Sequence, residues 1–430
     1  MTAGVRTVVT NWQVRCTSTL LHLHTLSILP RVSADISRLF CFHEMDTRIV
    51  PIRVSRHRSV YDIMIGSGSL ATSGLWAVEA LAEQPGRALI VSNRKVFRLY
   101  GDAVVESFSR AGFKTQVHLI GDGERFKSLR TLEDTLRVLS SHGLTRTDAV
   151  VALGGGVVGD LAGFAASVHL RGIRLLQIPT TLLAMIDSSV GGKTSVNSSF
   201  GKNLIGSFYQ PGGVLIDTDV IATLPRRELT AGLCEAIKHG AISGPRLFGQ
   251  TADFLDKYRA GAFRRPADPA ALSKDVRTLI AEHVTFKAKI VQNDEMESPG
   301  NTTSQSRKIL NFGHTFGHAL EKATDYKHFR HGEAVGYGLM FAAELSKKLE
   351  LIGQNEVNSL NDVVLCAGVL PAITGIDQSK ILESFKHDKK RIGNSLQWIL
   401  LKGIGKPVIV PDSEIPRSAI KATLKSIFQK

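Results

Sequence analysis

Two imidazoles four residues apart, His314 and His318, stand in residues 309–321 (ILNFGHTFGHALE). Apolar residues at Ile309, Leu310, Phe312, Phe316, Ala319 and Leu320 recur at helical spacing. The stretch therefore predicts one mostly buried helix with both rings on one face. An HxxxH pair alone is more often a packed or surface pair than a ligand set. The reading strengthens because His331 follows ten residues beyond Glu321, in RHGE, at the start of another apolar run. Glu235, in AGLCEAIKHG, supplies a carboxylate from a separate predicted helix. Two histidines and one glutamate drawn from distant elements suit Zn²⁺ or a similar divalent ion, with a position left for substrate.

A second group of residues suits phosphate. GGGVVGD, residues 154–160, follows the strand-like DAVVAL and opens the helix DLAGFAA. Its glycines let backbone approach a ligand, and a helix N-terminus offers free N–H groups to a pyrophosphate. No ribose-binding acid follows about twenty residues on, so this GxGxxG alone is as compatible with a structural glycine turn. Two neighbours add weight: Glu124 and Lys127 in GDGERFKS, and the two hydroxyls of QIPTT at a strand's carboxyl end. Residues 187–209 (DSSVGGKTSVNSSFGKNLIGSFY) set Lys193, Lys202 and Asn203 among glycines, a basic loop suited to a phosphate group. VGGKTS lacks the spacer and first glycine of a Walker A loop, which removes an ATPase reading. Lys238 lies one turn from Glu235, and Lys287, Arg307 and Asn311 extend the polar side of the helical half. Arg307 and Asn311, seven and three residues before His314, would share its helical face.

The elements that must position these groups divide the chain. Its 430 residues exceed one ordinary core, so two domains are expected. Residues 1–44 are basic and rich in Ser, Thr and Leu, and read as a presequence or, preferably, as sequence ahead of a true start at Met45. Over residues 45–223, RALIVSNR, FKTQVHLIG, DAVVALGGG, RLLQIPTT and GVLIDTD alternate with helical segments. That alternation predicts a Rossmann-like α/β domain with a parallel sheet. From 224 to 430 strand signals nearly vanish and an all-α domain is expected, with residues 298–306 (SPGNTTSQS) as a loop.

Composition narrows the class. Hydrophobic residues make up 43% and charged residues 21%, as in globular proteins, and no run of eighteen apolar residues argues for a membrane span. A net charge of +14 invites nucleic acid, but no RRM, zinc-finger or helix-turn-helix pattern supports it, and solvated surface lysine and arginine account for the excess. Four cysteines without a CxxC pair point to a reducing, cytoplasmic setting.

Taken together, GGGVVGDLAGFAAS, RGIRLLQIPTTLLAMIDSSVGGKTSVN, GKNLIGSFYQP, LPRRELTAGLCEAIKHG, FKAKIVQNDEMES, LNFGHTFGHALE, HGEAVGYG and HDKKRIG closely resemble the 3-dehydroquinate synthase family, over about residues 52–425. The resemblance implies a homodimer with its active site between an NAD domain and a helical domain. It implies Glu235, His314 and His331 as ligands of Zn²⁺ or Co²⁺. For NAD it implies Glu124, Lys127, Gly155, Gly156, Val157, Asp160, Thr180, Thr181, Asp187 and Lys202, with Thr223 nearby. For substrate it implies Lys193, Asn203, Lys238, Lys287, Arg307, Asn311 and Lys389, with Arg171 reaching the neighbouring subunit's phosphate pocket. Glu297 and His318 match proton-acceptor positions, and Lys193 and Lys238 are grouped with them as catalytic. The implied substrate is a phosphorylated sugar acid, 3-deoxy-D-arabino-heptulosonate 7-phosphate. The implied reaction combines transient oxidation, phosphate β-elimination, re-reduction and aldol closure, without net redox change. Two departures stand out: Ser92-Asn93-Arg94 replaces the usual adenosine-contacting patch, and residues 298–306 exceed the family's usual length. Rival readings are a cyclase of sedoheptulose 7-phosphate, a metal-dependent polyol dehydrogenase and a basic nucleic-acid-binding protein.

Overall fold

A computed structural model describes residues 48–54, 59–82, 86–258, 263, 266–391 and 396–429, of which the side chains of 48–59 and 386–391 are left aside. The expectation about residues 1–44 lies outside the described residues. Residues 47–430 form one compact unit.

The apolar runs become strands. β1 (Arg48–Val54) and β2 (Ser59–Gly66) form an antiparallel edge pair. β3 (Arg87–Asn93), β4 (Lys114–Ile120), β5 (Ala149–Gly154), β6 (Arg174–Pro179) and β9 (Gly213–Asp217) continue the sheet in the order β1-β2-β9-β6-β5-β3-β4. From β2 to β4 every pairing is parallel. β5 and β9 are buried at every position, as strands covered on both faces require. Connections of helical length between parallel strands place helices on the sheet, and ligand-sized crevices then open beyond the strands' carboxyl ends. Helix α1 (Gly156–Val168) starts at such an end, directly after β5.

Residues 187–209 are not the loop expected. Lys193–Ser198 (β7) and Gly201–Phe208 (β8) pair as an antiparallel ribbon, turned by Ser199 and Phe200. Its glycines serve close approach: a Cβ on Gly206 would meet the Thr194 carbonyl oxygen at 2.1 Å. The ribbon packs on α1, where Gly163 leaves room for Thr194.

Beyond Thr223 helices dominate: α2 (Arg226–Ser243), α3 (Pro245–Lys257), α4 (Pro269–Asn293), α5 (His314–Ala323), α6 (His331–Lys348), α7 (Gln354–Cys366), α8 (Gln378–Arg391) and α9 (Arg417–Phe428). One hairpin, Gln397–Leu401 with Pro407–Pro411, interrupts them. It follows from two short apolar runs, WILL and VIV, around a glycine turn.

The single helix expected over residues 309–321 is broken. Arg307–Asn311 is a 3-10 turn, and α5 begins only at His314. Gly313, at φ 81°, makes the break. Its α-carbon face lies so close to α6 that a Cβ would meet the Leu339 nitrogen at 2.9 Å. Tertiary contact overrides the apolar periodicity here. Arg307 and Asn311 therefore do not share a helical face with His314. They reach the site from a separate turn.

Candidate active site

Three helices bring the carboxylate and imidazoles together. Glu235, wholly buried on α2, places Oε1 3.5 Å from His331 Nε2 and 4.0 Å from His314 Nε2. Nitrogen and oxygen ligands sit about 2.1 Å from Zn²⁺, so donors across a tetrahedral site are separated by roughly 3.4 Å. The observed spacing fits one ion. Neither Glu235 oxygen has a hydrogen bond of good geometry, although Lys238 Nζ stands 2.6 Å from Oε2. Lys238 meets the carboxylate as an ion pair rather than as a well-aligned hydrogen bond. A buried carboxylate left short of donors is what a cation site needs.

The rings are oriented from behind. His331 Nδ1 lies 3.2 Å from Glu321 Oε2, and His314 Nδ1 lies 3.2 Å from the Phe312 carbonyl oxygen. Both Nε2 atoms are thereby left to face Glu235. Burial works against charge on Glu321, but His331 and Lys202 outweigh it and hold this carboxyl well below the usual range. His318 completes a three-histidine cluster whose ring nitrogens lie within 4.8 Å of one another. His318 is the exposed member of the cluster, and crowding by the groups packed around it, with His331 beside it, lowers it from the ordinary histidine range, so it is neutral near pH 7. His331 keeps 35% of its side chain exposed, which opens the cluster on one side.

A second layer of charge joins this cluster to the sheet. Asp187, on a turn after β6, accepts from Lys238 at 3.3 Å and from Lys287 on α4 in a shorter contact. Burial opposes its charge, but the two lysines outweigh that and keep it well below the carboxylate range. Burial likewise lowers Lys287, to about 8. Glu297 touches Lys193 and accepts from Asn311 Nδ2 at 3.0 Å. Arg307, only 2% exposed, lies over the Phe208 ring and donates to the Glu295 carbonyl oxygen at 2.6 Å. The structure thus gathers Lys193, Arg307 and Asn311 around Glu297, and Lys238 and Lys287 around Asp187.

The dinucleotide candidates group at the sheet's carboxyl ends. Gly155 caps α1 without any side-chain bond, and Gly156 and Val157 form its first turn. A Cβ on Gly155 would meet Thr181 at 3.1 Å, and one on Gly156 would meet Ser188 at 3.1 Å. Thr180 Oγ1, beside them, is buried without a partner. An uncapped helix N-terminus in a glycine cradle with an orphan hydroxyl fits a pyrophosphate. Lys127 contacts both Asp160 and Asn203, while Lys202 lies 3.0 Å from Glu321 and 3.7 Å from Glu124. Thr223 sits at the end of the turn after β9, its hydroxyl donating to the Val220 carbonyl oxygen and meeting Tyr100. Asn93 caps the short turn after β3, accepting from the Val96 amide at 3.0 Å, and Ser92 donates to the Leu153 carbonyl oxygen, so both have structural partners. Arg171 is exposed, at φ 64° in the corner between α1 and β6. Lys389 belongs to α8, but its side chain lies outside the described residues.

Sequence reasoning missed two carboxylates. Glu321 stands seven residues after His314, on the same face of α5, and that spacing could have found it. Asp294 has no such signal, because its partners lie across a loop.

Residues 117–231 match the family described as 3-dehydroquinate synthase N-terminal, and residues 232–391 match 3-dehydroquinate synthase C-terminal. A 3-dehydroquinate synthase from Acidithiobacillus ferrooxidans is 40% identical over 369 residues, spanning 86% of this chain and 96% of its own length. Among solved structures, a 2-deoxy-scyllo-inosose synthase complexed with carbaglucose-6-phosphate, NAD⁺ and Co²⁺ is 26% identical with a TM-score of 0.74, covering 88% of this chain and 100% of that one. A 2-epi-5-epi-valiolone synthase from Streptomyces hygroscopicus subsp. jinggangensis, with NAD⁺ and Zn²⁺ bound, has 26% identity and a TM-score of 0.75, covering 86% and 97%. On both halves of its sequence, this chain belongs to the 3-dehydroquinate synthase family.

Proposed function

We propose that this chain converts 3-deoxy-D-arabino-heptulosonate 7-phosphate into 3-dehydroquinate and phosphate, using NAD and Zn²⁺ or Co²⁺. The observation that carries the choice of substrate is Arg307. A guanidinium 2% exposed, next to Glu297, Lys193 and Asn311, suits a substrate carboxylate. A substrate lacking that carboxylate, such as sedoheptulose 7-phosphate, would bring the guanidinium no anion beyond the protein's own Glu297.

Glu235, His314 and His331 would hold the metal, and Glu124, Lys127, Gly155, Gly156, Val157, Asp160, Thr180, Thr181, Asp187 and Lys202 the dinucleotide, with Thr223 nearby. When bound, these groups supply a reversible hydride acceptor and a Lewis acid for the hydroxyls beside it. The chain does the rest. Arg307 and Lys287 orient the carboxylate, with Asn311 beside it. Lys193 and Asn203 bind the phosphate that leaves by β-elimination, helped by Arg171 from a second subunit of a homodimer, and Lys389 is assigned to the same substrate. Lys238, paired with both Glu235 and Asp187, fixes the ligand carboxylate against the lysine-rich wall. His318, neutral at pH 7, and Glu297, held charged by Lys193, are the proton acceptors. For Glu297, burial opposes charge and the Lys193 ammonium outweighs it. Division into an NAD domain of 45–223 and a helical domain of 224–430, and a cytoplasmic setting, belong to the same proposal. No described helix is long and apolar enough to cross a membrane.

The test is product analysis with the heptulosonate phosphate, with and without a chelator. Stoichiometric phosphate and carbocycle, lost on chelation and without net NADH, are expected. Continuous NADH release would favour a polyol dehydrogenase, and turnover of sedoheptulose 7-phosphate instead would favour the other cyclase.

A further inference from the structure

Residues 298–306 leave the site just after Glu297 and return to it at Arg307. Such an excursion, rich in Ser, Thr, Gly and Asn, contributes little apolar burial of its own and must be tied at its base. Asn293 Nδ2 donates to Gln305 Oε1 at 2.9 Å and Lys308 Nζ to the Pro299 carbonyl oxygen at 2.5 Å, but most of the bonds at the base go to one side chain. Asp294 ends α4, its amide bonded to the Ile290 and Val291 carbonyl oxygens, and is 5% exposed. Its Oδ1 accepts from the Ser298 amide at 2.8 Å. Its Oδ2 accepts from the Arg307 amide at 2.9 Å, Ser306 Oγ at 3.0 Å and Asn301 Nδ2 at 3.3 Å. The Asp294 carbonyl oxygen also accepts from the Glu297 amide at 3.2 Å. Both mouths of the excursion and its middle thus converge on one carboxylate.

We propose that Asp294 is a positioning residue for the substrate-carboxylate clamp, locking the base of residues 298–306 so that Glu297 and Arg307 keep one mutual geometry. Glu297 is held at φ 51°, a conformation that a residue with a side chain keeps only when its surroundings impose it. The turn between Asp294 and Ser298 imposes it here. The Arg307 guanidinium is aimed from the same segment, through Nη1 to the Glu295 carbonyl oxygen at 2.6 Å. Burial opposes charge on Asp294, but the Ser298 and Arg307 amides outweigh it and hold the carboxyl below its ordinary range. It is therefore anionic at neutral pH and bonds its donors strongly.

This inference rests on the reading of Arg307 as the carboxylate clamp, and the experiment separates the two. Full-length Asp294→Asn, Ser306→Ala, Arg307→Ala and the Asp294→Asn/Arg307→Ala double variant are assayed with NAD and Zn²⁺ supplied. Asp294→Asn should raise KM for the heptulosonate phosphate roughly tenfold through Arg307 and lower kcat through Glu297, with NAD affinity unchanged. Ser306→Ala, which removes one bond, should shift KM in the same direction by roughly threefold. In the Arg307→Ala background, Asp294→Asn should add almost nothing to KM, because its effect on KM passes through Arg307. An unchanged KM in Asp294→Asn, or fully additive effects on KM in the double variant, overturns the proposal. If Asp294→Asn does not fold, Ser306→Ala decides in its place, an unchanged KM being the refuting result. If Arg307→Ala itself leaves KM unchanged, the clamp reading fails instead.

Discussion

Replacing Glu321 by Gln tests whether the metal site is built from behind as well as in front. The residue is 3% exposed, and its side chain bridges His331 Nδ1 at 3.2 Å and Lys202 Nζ at 3.0 Å. Glutamine keeps the shape and one acceptor oxygen but loses the charge. A hydrogen bond to a charged group contributes about 1.5–3 kcal/mol, against about 0.5–1.5 kcal/mol for a neutral pair. The difference, about 1–2 kcal/mol, corresponds to a five- to thirtyfold loss in metal affinity. That agrees with the usual cost of losing a hydrogen-bond partner behind a ligating histidine, about 10–100-fold. The assay is competition for Zn²⁺ against a chromogenic chelator, with circular dichroism and thermal melting to confirm the fold. Because Lys202 loses the nearer of its two anions, keeping Glu124 at 3.7 Å, NAD affinity should change in the same variant. A well-folded Glu321→Gln with wild-type Zn²⁺ affinity would refute the claim that this carboxylate orients His331.

Gly313→Ala should destabilise the protein by roughly 1–3 kcal/mol and weaken metal binding, since φ 81° and the 2.9 Å approach to Leu339 both exclude a Cβ. Thermal melting and the same chelator competition check it. Lys287, with its ammonium lowered to about 8 by burial, should give kcat/KM a limb that falls as pH rises through about 8, as the positive charge facing the substrate carboxylate is lost. Lys287→Arg, which keeps its charge, should remove that limb. The linked stability has the opposite trend: between about 8 and the ordinary lysine value of 10.5 the unfolded chain binds the extra proton, so this lysine's burial penalty is relieved as pH rises. Denaturant melts across that window should show the relief disappear in Lys287→Met.

Much of the fold was legible because its signals are local. DAVVALGGG and RLLQIPTT carry enough β-branched and apolar residues to read as covered strands, and they became β5 and β6. The helix AGLCEAIKHG also read correctly, which put Glu235 and Lys238 one turn apart. What stayed hidden depends on contacts between distant segments. Gly313 breaks an otherwise periodic helix only because α6 passes within van der Waals distance. The β7–β8 ribbon looked like a loop because its glycines make room for Thr194 and Ser195 rather than for a turn. Asp294 cannot be distinguished in NDEMES until the chain has returned at Arg307. The candidate site follows the same division. Residue types pointed to a carboxylate and imidazoles, but only the packing of α2 against α5 and α6 sets the Glu235 oxygen 3.5 and 4.0 Å from two ring nitrogens.

The account turns on a single cation shared by those three side chains. Anomalous diffraction at the zinc edge, on crystals of the full chain grown with Zn²⁺ and NAD, measures it directly. One peak about 2.0–2.2 Å from a Glu235 oxygen, His314 Nε2 and His331 Nε2 is the predicted result. A peak elsewhere, or a fully loaded and active enzyme with those three side chains turned away from the metal, would contradict it.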